Sequence, residues 1–174
     1  MKRIAIIGSG GSGKSTLARE LGKILKLPVY HLDALYWKPG WVRTPDEEWD
    51  QLMEALVSKE EWIIDGNYGR TMDIRLRKAD TIIYLDYPTY LCLFRAIKRR
   101  IQYHRKTRPD MGEGCTERID RQFIRWIWNF RRDERPWILQ KLNDIRNGKQ
   151  LHIITSPGQL KAFLRHLRAG INIS

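Results

Sequence analysis

The run Gly8-Ser9-Gly10-Gly11-Ser12-Gly13-Lys14-Ser15 fits G-x-x-x-x-G-K-[ST], and it begins where the apolar stretch Ile4-Ala5-Ile6-Ile7 ends. Few short motifs constrain a fold as strongly, because this one works as a phosphate-binding loop only when set between a strand and a helix. Its glycines let successive backbone N–H groups turn inward around an anion. Lys14 can then reach the β- and γ-phosphates, and Ser15 can offer its hydroxyl to Mg2+. From Thr16 onward, Leu17, Leu21, Ile24 and Leu25 recur at helical spacing. The loop therefore opens a helix whose positive N-terminal end faces the same phosphates. Gly8 to Thr16 is the expected nucleotide site, with ATP and Mg2+ as its expected ligands.

A chain of 174 residues with 42% apolar content suits one domain spanning 1–174. No apolar run approaches the roughly 18 to 20 residues of a membrane span, and Met1-Lys2-Arg3 leads straight into a core strand, so a cytoplasmic protein without a membrane partner is expected. Cys92 and Cys115 lie too far apart for a C-x-x-C site, and the four histidines have no zinc spacing. The net charge of +12 is concentrated: residues 91–135 hold thirteen Lys/Arg against six Asp/Glu, a balance of +7. Such a stretch suits a polyanion, either a triphosphate gripped at several points or a nucleic-acid backbone. Composition does not separate the two, and it leaves oligomeric state open.

Alternation of strands and helices continues along the chain. Strands are expected at 2–7, 29–32, 62–64, 81–85 and 151–154, the third ending at Asp65 and the fourth at Asp86. Their continuous apolar character is that of buried parallel strands. Thr44-Pro45-Asp46-Glu47 reads as a capping box, with Thr44 as cap and Pro45 at the first helical position, followed by the apolar face Trp49, Leu52, Met53 and Leu56. Tyr90, Phe94, Ile97 and Ile101 mark another helix, and Ile119, Phe123, Trp126, Ile127 and Phe130 the next. Pro136 interrupts that one, Trp137 to Ile145 continues helically, and Leu160, Phe163, Leu164 and Leu167 mark a last helix. Five such strands between helices imply a doubly wound parallel α/β fold with ligands outside the carboxyl ends of the strands.

Two further segments carry a family resemblance. Asp65-Gly66-Asn67-Tyr68-Gly69-Arg70-Thr71 resembles the D-G-[FY]-P-R-[ST] segment of adenylate kinases, with an insertion and a substitution in its middle. Asp86-Tyr87-Pro88, then Arg95, then Arg99-Arg100 resembles the segment by which those enzymes leave strand four and enter their lid. The set His31-Leu32-Asp33, Lys38-Pro39-Gly40-Trp41, Lys106-Thr107-Arg108-Pro109-Asp110-Met111 and Trp126-Ile127-Trp128, with Asp65 to Tyr68, is similar to the bacterial family described as DNA topology modulation, FlaR-related. That family is adenylate-kinase-like. The resemblance implies a P-loop NTPase fold, a five-stranded parallel sheet in the order 2-3-1-4-5 with helices on both faces. It also implies an acceptor-binding segment at about 33–60 and a short basic lid at about 102–123, without the zinc-binding cysteines of longer lids. The implied activity is transfer of the γ-phosphoryl of Mg·ATP to an unidentified nucleotide or small-molecule acceptor. The other implied function is a nucleotide-regulated DNA-binding protein affecting DNA topology, although no recognised nucleic-acid motif is present.

On that frame individual residues acquire expected roles. Asp65 lies beside the P-loop strand, where it would hold Mg2+ through water together with Ser15; an Asp-Gly turn is the plain alternative. Asp86, ending the neighbouring strand, could share the metal or merely start the Tyr87-Pro88 turn. Arg70 would hold an acceptor phosphate. Asp33, at the mouth of the crevice, is unusual for an adenylate kinase and would accept a proton from an attacking hydroxyl or steer the metal. His31 reads as a packed strand residue. Tyr36, Trp37 and Trp41 could stack on the acceptor or cover the sheet edge, with Trp37 the candidate acceptor contact. Lys14, Arg95 and Arg99 would stabilise the transferring phosphoryl group, Arg95 and Arg99 sharing one helix face. Arg118, Arg121 and Arg125 also share a face, and one or two of them would close onto the triphosphate. Trp126 and Trp137 read as core and Trp128 as surface. Ser156-Pro157-Gly158 would line the adenine pocket or form a plain turn.

Overall fold

The central strand of this chain is apolar on both faces, and the architecture follows from covering both. The computed structural model describes residues 1–104, 107–108, 110–112, 114–116 and 120–171. Strand β1 (Arg3–Gly8) leads through the P-loop into α1 (Lys14–Leu25). Then come β2 (Val29–His31), the short helix α2 (Leu32–Tyr36), and a small ribbon of β3 (Trp37–Lys38) and β4 (Val42–Arg43). Helix α3 (Asp46–Val57), β5 (Trp62–Asp65), α4 (Met72–Lys78) and β6 (Thr81–Leu85) follow. Helix α5 (Thr89–Gln102), α6 (Arg121–Asp133), α7 (Arg135–Ile145), β7 (Gln150–Ile154) and α8 (Pro157–Ile171) complete the order.

Five strands form one parallel sheet in the order β2-β5-β1-β6-β7. Numbered among themselves along the chain, these strands stand in the order 2-3-1-4-5. Successive side chains of β1 divide between two cores. Ala5 and Ile7 point to one side, with Trp62 and Ile64 of β5, under α3, α4 and α7. Ile4 and Ile6 point to the other, with Ile63 and Ile83, under α1, α5 and α8. Among the described residues no helix is long and apolar enough to cross a membrane.

The expected elements occur, with informative departures. Asp33 sits in the first turn of α2 rather than in a loop, and the ribbon β3–β4 and helix α4 lie where the pattern showed no element. Thr44 does not cap α3: its hydroxyl donates to the Tyr36 carbonyl at 2.8 Å, tying the ribbon to its own entrance, and Pro45 holds the cap position. Pro136 does break the helical run, as the second residue of α7. The expected start of α6 at Ile119 lies outside the described residues.

The largest departure concerns α5. Tyr90, Phe94, Ile97 and Ile101 located the helix, but all four are exposed, and the buried side carries Cys92 and Ala96. The P-loop explains this. A β-carbon on Gly11 would lie 2.2 Å from the Cys92 carbonyl oxygen and 3.2 Å from the Ala96 nitrogen, so only small residues let α5 approach the loop so closely.

Candidate active site

The P-loop and the segment after β2 open onto one cleft of about 1040 Å3 at the carboxyl ends of the strands. That is at or above the roughly 300–1,000 Å3 of single-ligand pockets, leaving room for two ligands side by side. At one end lie residues 10–16, and at the other Asp33, Trp37 and Trp41.

At the donor end, Gly11 and Gly13 hold the left-handed backbone, with φ of 76° and 94°, that turns N–H groups inward. The Lys14 ammonium donates to the Ser9 carbonyl at 2.9 Å. Burial lowers its pKa, opposed by the charges of Asp33 and Asp65. Gly8 and Ser9 form the base of the loop, where a β-carbon on Gly8 would strike the Leu85 carbonyl at 2.7 Å. Arg95 donates to the Ser12 carbonyl at 3.2 Å and lies over the Tyr87 ring, while Arg99 lies over Phe123. Both arginines line the cleft, with Lys98 beside them.

Behind the loop, the Ser15 hydroxyl donates to Asp65 at 2.8 Å. Asp65 is 3% exposed, and its other oxygen meets His31 Nδ1 at 2.5 Å. Burial alone would lower the His31 pKa, but the bond and charge of Asp65 outweigh it and raise the value. His31 is thus a partner of the carboxylate, not merely a packed strand residue. Nearby, Asp110 accepts from Arg108 at 2.9 Å, and although burial would raise the Asp110 pKa, the Arg108 charge helps to hold it below the usual carboxylate value. A hydroxyl and carboxylates are the hard oxygen donors that Mg2+ takes alongside phosphate and water. Among the described residues no group of three or more His, Cys, Asp or Glu side chains is placed to hold a metal.

At the end of the cleft away from the P-loop, Asp33 accepts from the Tyr68 hydroxyl at 2.8 Å and lies 4.0 Å from buried Arg108. Burial, and then the Asp33 charge, hold the Tyr68 phenol protonated far above its usual range, so it serves as donor. Its ring is wedged against Tyr36 and Trp49. Its backbone is held by Arg75, fully buried, which donates to the carbonyls of Gly66 and Tyr68 at 3.0 Å each. Burial pushes the Arg75 pKa down to about 10, which leaves it cationic at neutral pH. Trp37 and Trp41 meet edge-to-face, 5.4 Å apart. Cys115 and Thr116 bond to this ribbon: Trp41 Nε1 donates to the Thr116 carbonyl at 3.1 Å, and the Cys115 thiol to the Lys38 carbonyl at 3.3 Å.

Several expected site residues lie elsewhere. Arg70 is exposed and does not line the cleft; it forks onto Asp50 at 2.7 and 3.0 Å, with Asp46 at 3.4 Å. Asp86 is buried against Arg135, at 2.9 and 3.0 Å, with Arg131 at 3.8 Å, so its charge is already matched within the core. Arg121 and Arg125 line a shallow depression on the outside of α6 with Ile124 and Trp128, instead of the cleft, and Arg118 lies outside the described residues. Trp126 bridges both cores and lines the cleft, stacked on Phe123, while Trp128 is exposed. Ser156 caps the start of α8, its hydroxyl accepting from Gln159 N, and does not line the cleft. The roles of Arg108, Asp110, Tyr68 and His31 had no signal beyond their place in the resembling motifs.

No protein-family model matches the chain, and no curated protein sequence matches it. Solved structures do. Shikimate kinase from Acinetobacter baumannii in complex with shikimate is similar at a TM-score of 0.54 and 17% identity, over 100% of this chain and 96% of that one. A gluconokinase from Sinorhizobium meliloti 1021 gives a TM-score of 0.52 at 16% identity, over 98% and 91% of the two chains. Shikimate kinase from Bacteroides thetaiotaomicron gives 0.50 at 15%, over 98% of both. These similarities show a P-loop kinase-like α/β fold with a five-stranded parallel sheet.

Proposed function

We propose that the protein is an adenylate-kinase-like P-loop phosphotransferase that moves the γ-phosphoryl group of Mg·ATP onto a hydroxyl of a small-molecule acceptor. One observation carries the reading: Lys14 of a complete P-loop and the Tyr68-bonded carboxylate of Asp33 face the same two-ligand cleft. Residues 8–16 bind the phosphates. Ser15 and Asp65 would hold Mg2+, whose charge would offset that of the phosphate oxygens. The acceptor oxygen attacks the γ-phosphorus, the bond to the β-phosphate oxygen breaks, ADP departs, and Asp33 takes the hydroxyl proton. Lys14, Arg95 and Arg99 surround the charge that develops. The 102–123 segment acts as the lid and 33–60 as the acceptor-binding segment, with Trp37 against the acceptor, and closure excludes water that would hydrolyse ATP.

A hydroxyl acceptor is favoured over a nucleoside monophosphate because Arg70, the expected acceptor-phosphate ligand, is held by Asp50 outside the cleft. The neighbours named shikimate kinase and gluconokinase fit this reading. The test is ADP release by purified protein with Mg·ATP and a panel of hydroxylated acceptors and nucleotides. Acceptor-dependent turnover that Lys14→Ala abolishes is expected; absence of turnover with every acceptor refutes the proposal. The outward face of α6, with exposed Arg121, Arg125 and Trp128, favours nucleic-acid binding of the kind the FlaR-related resemblance implies. Salt-sensitive DNA affinity lost in Arg121→Ala/Arg125→Ala, with turnover intact, would establish that reading as an additional function.

A further inference from the structure

Helix α5 presents two faces of opposite character. Cys92 and Ala96 press its inner side against the P-loop, and Arg95 and Arg99 turn toward the cleft. On its outer side Tyr90, Phe94, Ile97 and Ile101 are 74%, 63%, 49% and 73% exposed. A solvent-facing surface of a helix normally carries polar residues; here its centre is wholly apolar. The spacing of four, three and four residues confines these side chains to about 60° of the helix circumference. That is the narrow seam of a helix meeting one other helix, and is narrower than the roughly 100° stripe that covers a core.

Composition along the seam is polarised. Its N-terminal half is aromatic, Tyr90 and Phe94, and its C-terminal half aliphatic, Ile97 and Ile101. The helix has no acidic residue, and Lys98, Arg99 and Arg100 cluster near its C-terminus.

We propose that this seam is a dimer interface in which α5 packs antiparallel against α5 of a second copy of the chain, about a two-fold axis between Phe94 and Ile97. In that register Tyr90 faces the second copy's Ile101, and Phe94 faces its Ile97. Every layer then pairs one ring with one branched aliphatic side chain, which is how facing positions interdigitate without voids. Parallel pairing would set Tyr90 on Tyr90 and bring the two cationic clusters side by side. Antiparallel pairing sends those clusters to opposite ends, each against the uncharged stretch 89–94 of the partner helix, and opposes the two helix dipoles. Aromatic side chains bury roughly 150–250 Å2 each. The four seam residues with flanking Leu91 and Leu93 therefore offer on the order of 500 Å2 per copy, against about 800 Å2 per partner in a standard interface. The stems of Lys98 and Arg100 supply part of the rest, and an interface at this low end of the size range is that of a weak, concentration-dependent dimer.

Sedimentation equilibrium of the full chain over about 1–200 µM is expected to show mass rising from 20.7 kDa toward twice that value. Phe94→Glu should weaken association at least about thirty-fold while leaving the melting temperature of the dilute, monomeric chain unchanged, because Phe94 faces solvent there. Ile97→Lys repeats the test if Phe94→Glu fails to fold. Oxidising a mixture of Tyr90→Cys and Ile101→Cys proteins should give a cross-linked heterodimer that neither variant forms alone, because each of these positions lies about 16 Å along the helix from its own copy in the partner. A chain that stays monomeric at the highest concentration overturns the proposal; if that monomer floats with phosphatidylserine vesicles, the seam belongs to lipid. A dimer untouched by both charge substitutions also overturns it, and cross-linking within either variant alone overturns the antiparallel register.

Discussion

Gly11 and Gly40 share one left-handed φ and differ sharply in what surrounds them, which allows two energetic terms to be separated by experiment. Both have φ of 76°, a left-handed value that a side chain disfavours. A β-carbon on Gly40 meets nothing within 4 Å, whereas one on Gly11 would lie 2.2 Å from the Cys92 carbonyl oxygen. Gly40→Ala should therefore cost only the conformational term, about 1 kcal/mol. Gly11→Ala adds an overpacking cost of about 1–3 kcal/mol or more, because the obstructing atom is backbone and the whole of α5 must retreat. For a domain of this size each kcal/mol is roughly 2–4 °C of melting temperature. Calorimetry should show a fall of about 2–4 °C for Gly40→Ala and about 5–15 °C for Gly11→Ala. Titration with a non-hydrolysable ATP analogue should show affinity kept in the first variant and lost in the second. Equal melting temperatures for the two variants would refute the claim that close contact between α5 and the P-loop shapes the donor site.

Tyr68→Phe should lower acceptor-dependent kcat/KM by about ten-fold or more, the value of a hydrogen bond to a charged group, with little change in melting temperature; unaltered kinetics would remove Tyr68 from the site. Arg135→Met leaves the buried Asp86 carboxylate without its main partner and should cost about 2–4 kcal/mol in urea unfolding, while Mg2+ dependence stays unchanged; a lost metal requirement in Asp86→Asn would return Asp86 to the metal site. Asp80 accepts backbone N–H bonds from Lys2 and Arg3 at 2.9 Å each. Partial burial would raise its pKa, but the bonds from Thr81, Lys2 and Arg3 outweigh this and depress it. Because the folded value is the lower one, this stabilisation is complete above about pH 4 and fades as pH falls through the folded pKa; acid unfolding of Asp80→Asn should lack that limb.

The fold was legible because its strongest signals are local. The apolar runs of β1, β5 and β6 and the glycine pattern of residues 8–15 are properties of contiguous sequence, and all appear where expected. The ribbon β3–β4 was not legible, since two-residue strands carry no period. Helix α5 shows a subtler failure. Periodicity assumes that the apolar face is the buried face, and at α5 the P-loop needs the volume of Cys92 and Ala96 instead of large side chains. Size, not hydrophobicity, chose the inner face, leaving the larger residues outside.

The candidate site divides along the same line. Donor-end residues follow from one motif, since a P-loop specifies the chemistry of Lys14 and Ser15 by spacing alone. Residues at the opposite end, the proposed acceptor end, are assembled from segments far apart in the chain: Asp33 from α2, Tyr68 from the loop after β5, Arg108 and Asp110 from the segment after α5. None is informative alone. Arg70 illustrates why: its motif position suggested a phosphate ligand, yet Asp46 and Asp50, one helical turn apart on α3, claim its guanidinium at the surface. Arg75, which carried no signal, is instead the cation buried inside, where its bonds to Gly66 and Tyr68 set the loop that delivers the Tyr68 hydroxyl to Asp33. Arg70 and Arg75 stand five residues apart in one loop and helix, yet the first is held at the surface and the second holds the backbone of the loop from within. Which of them turns inward depends on partners contributed by α3, so no local pattern could reveal it.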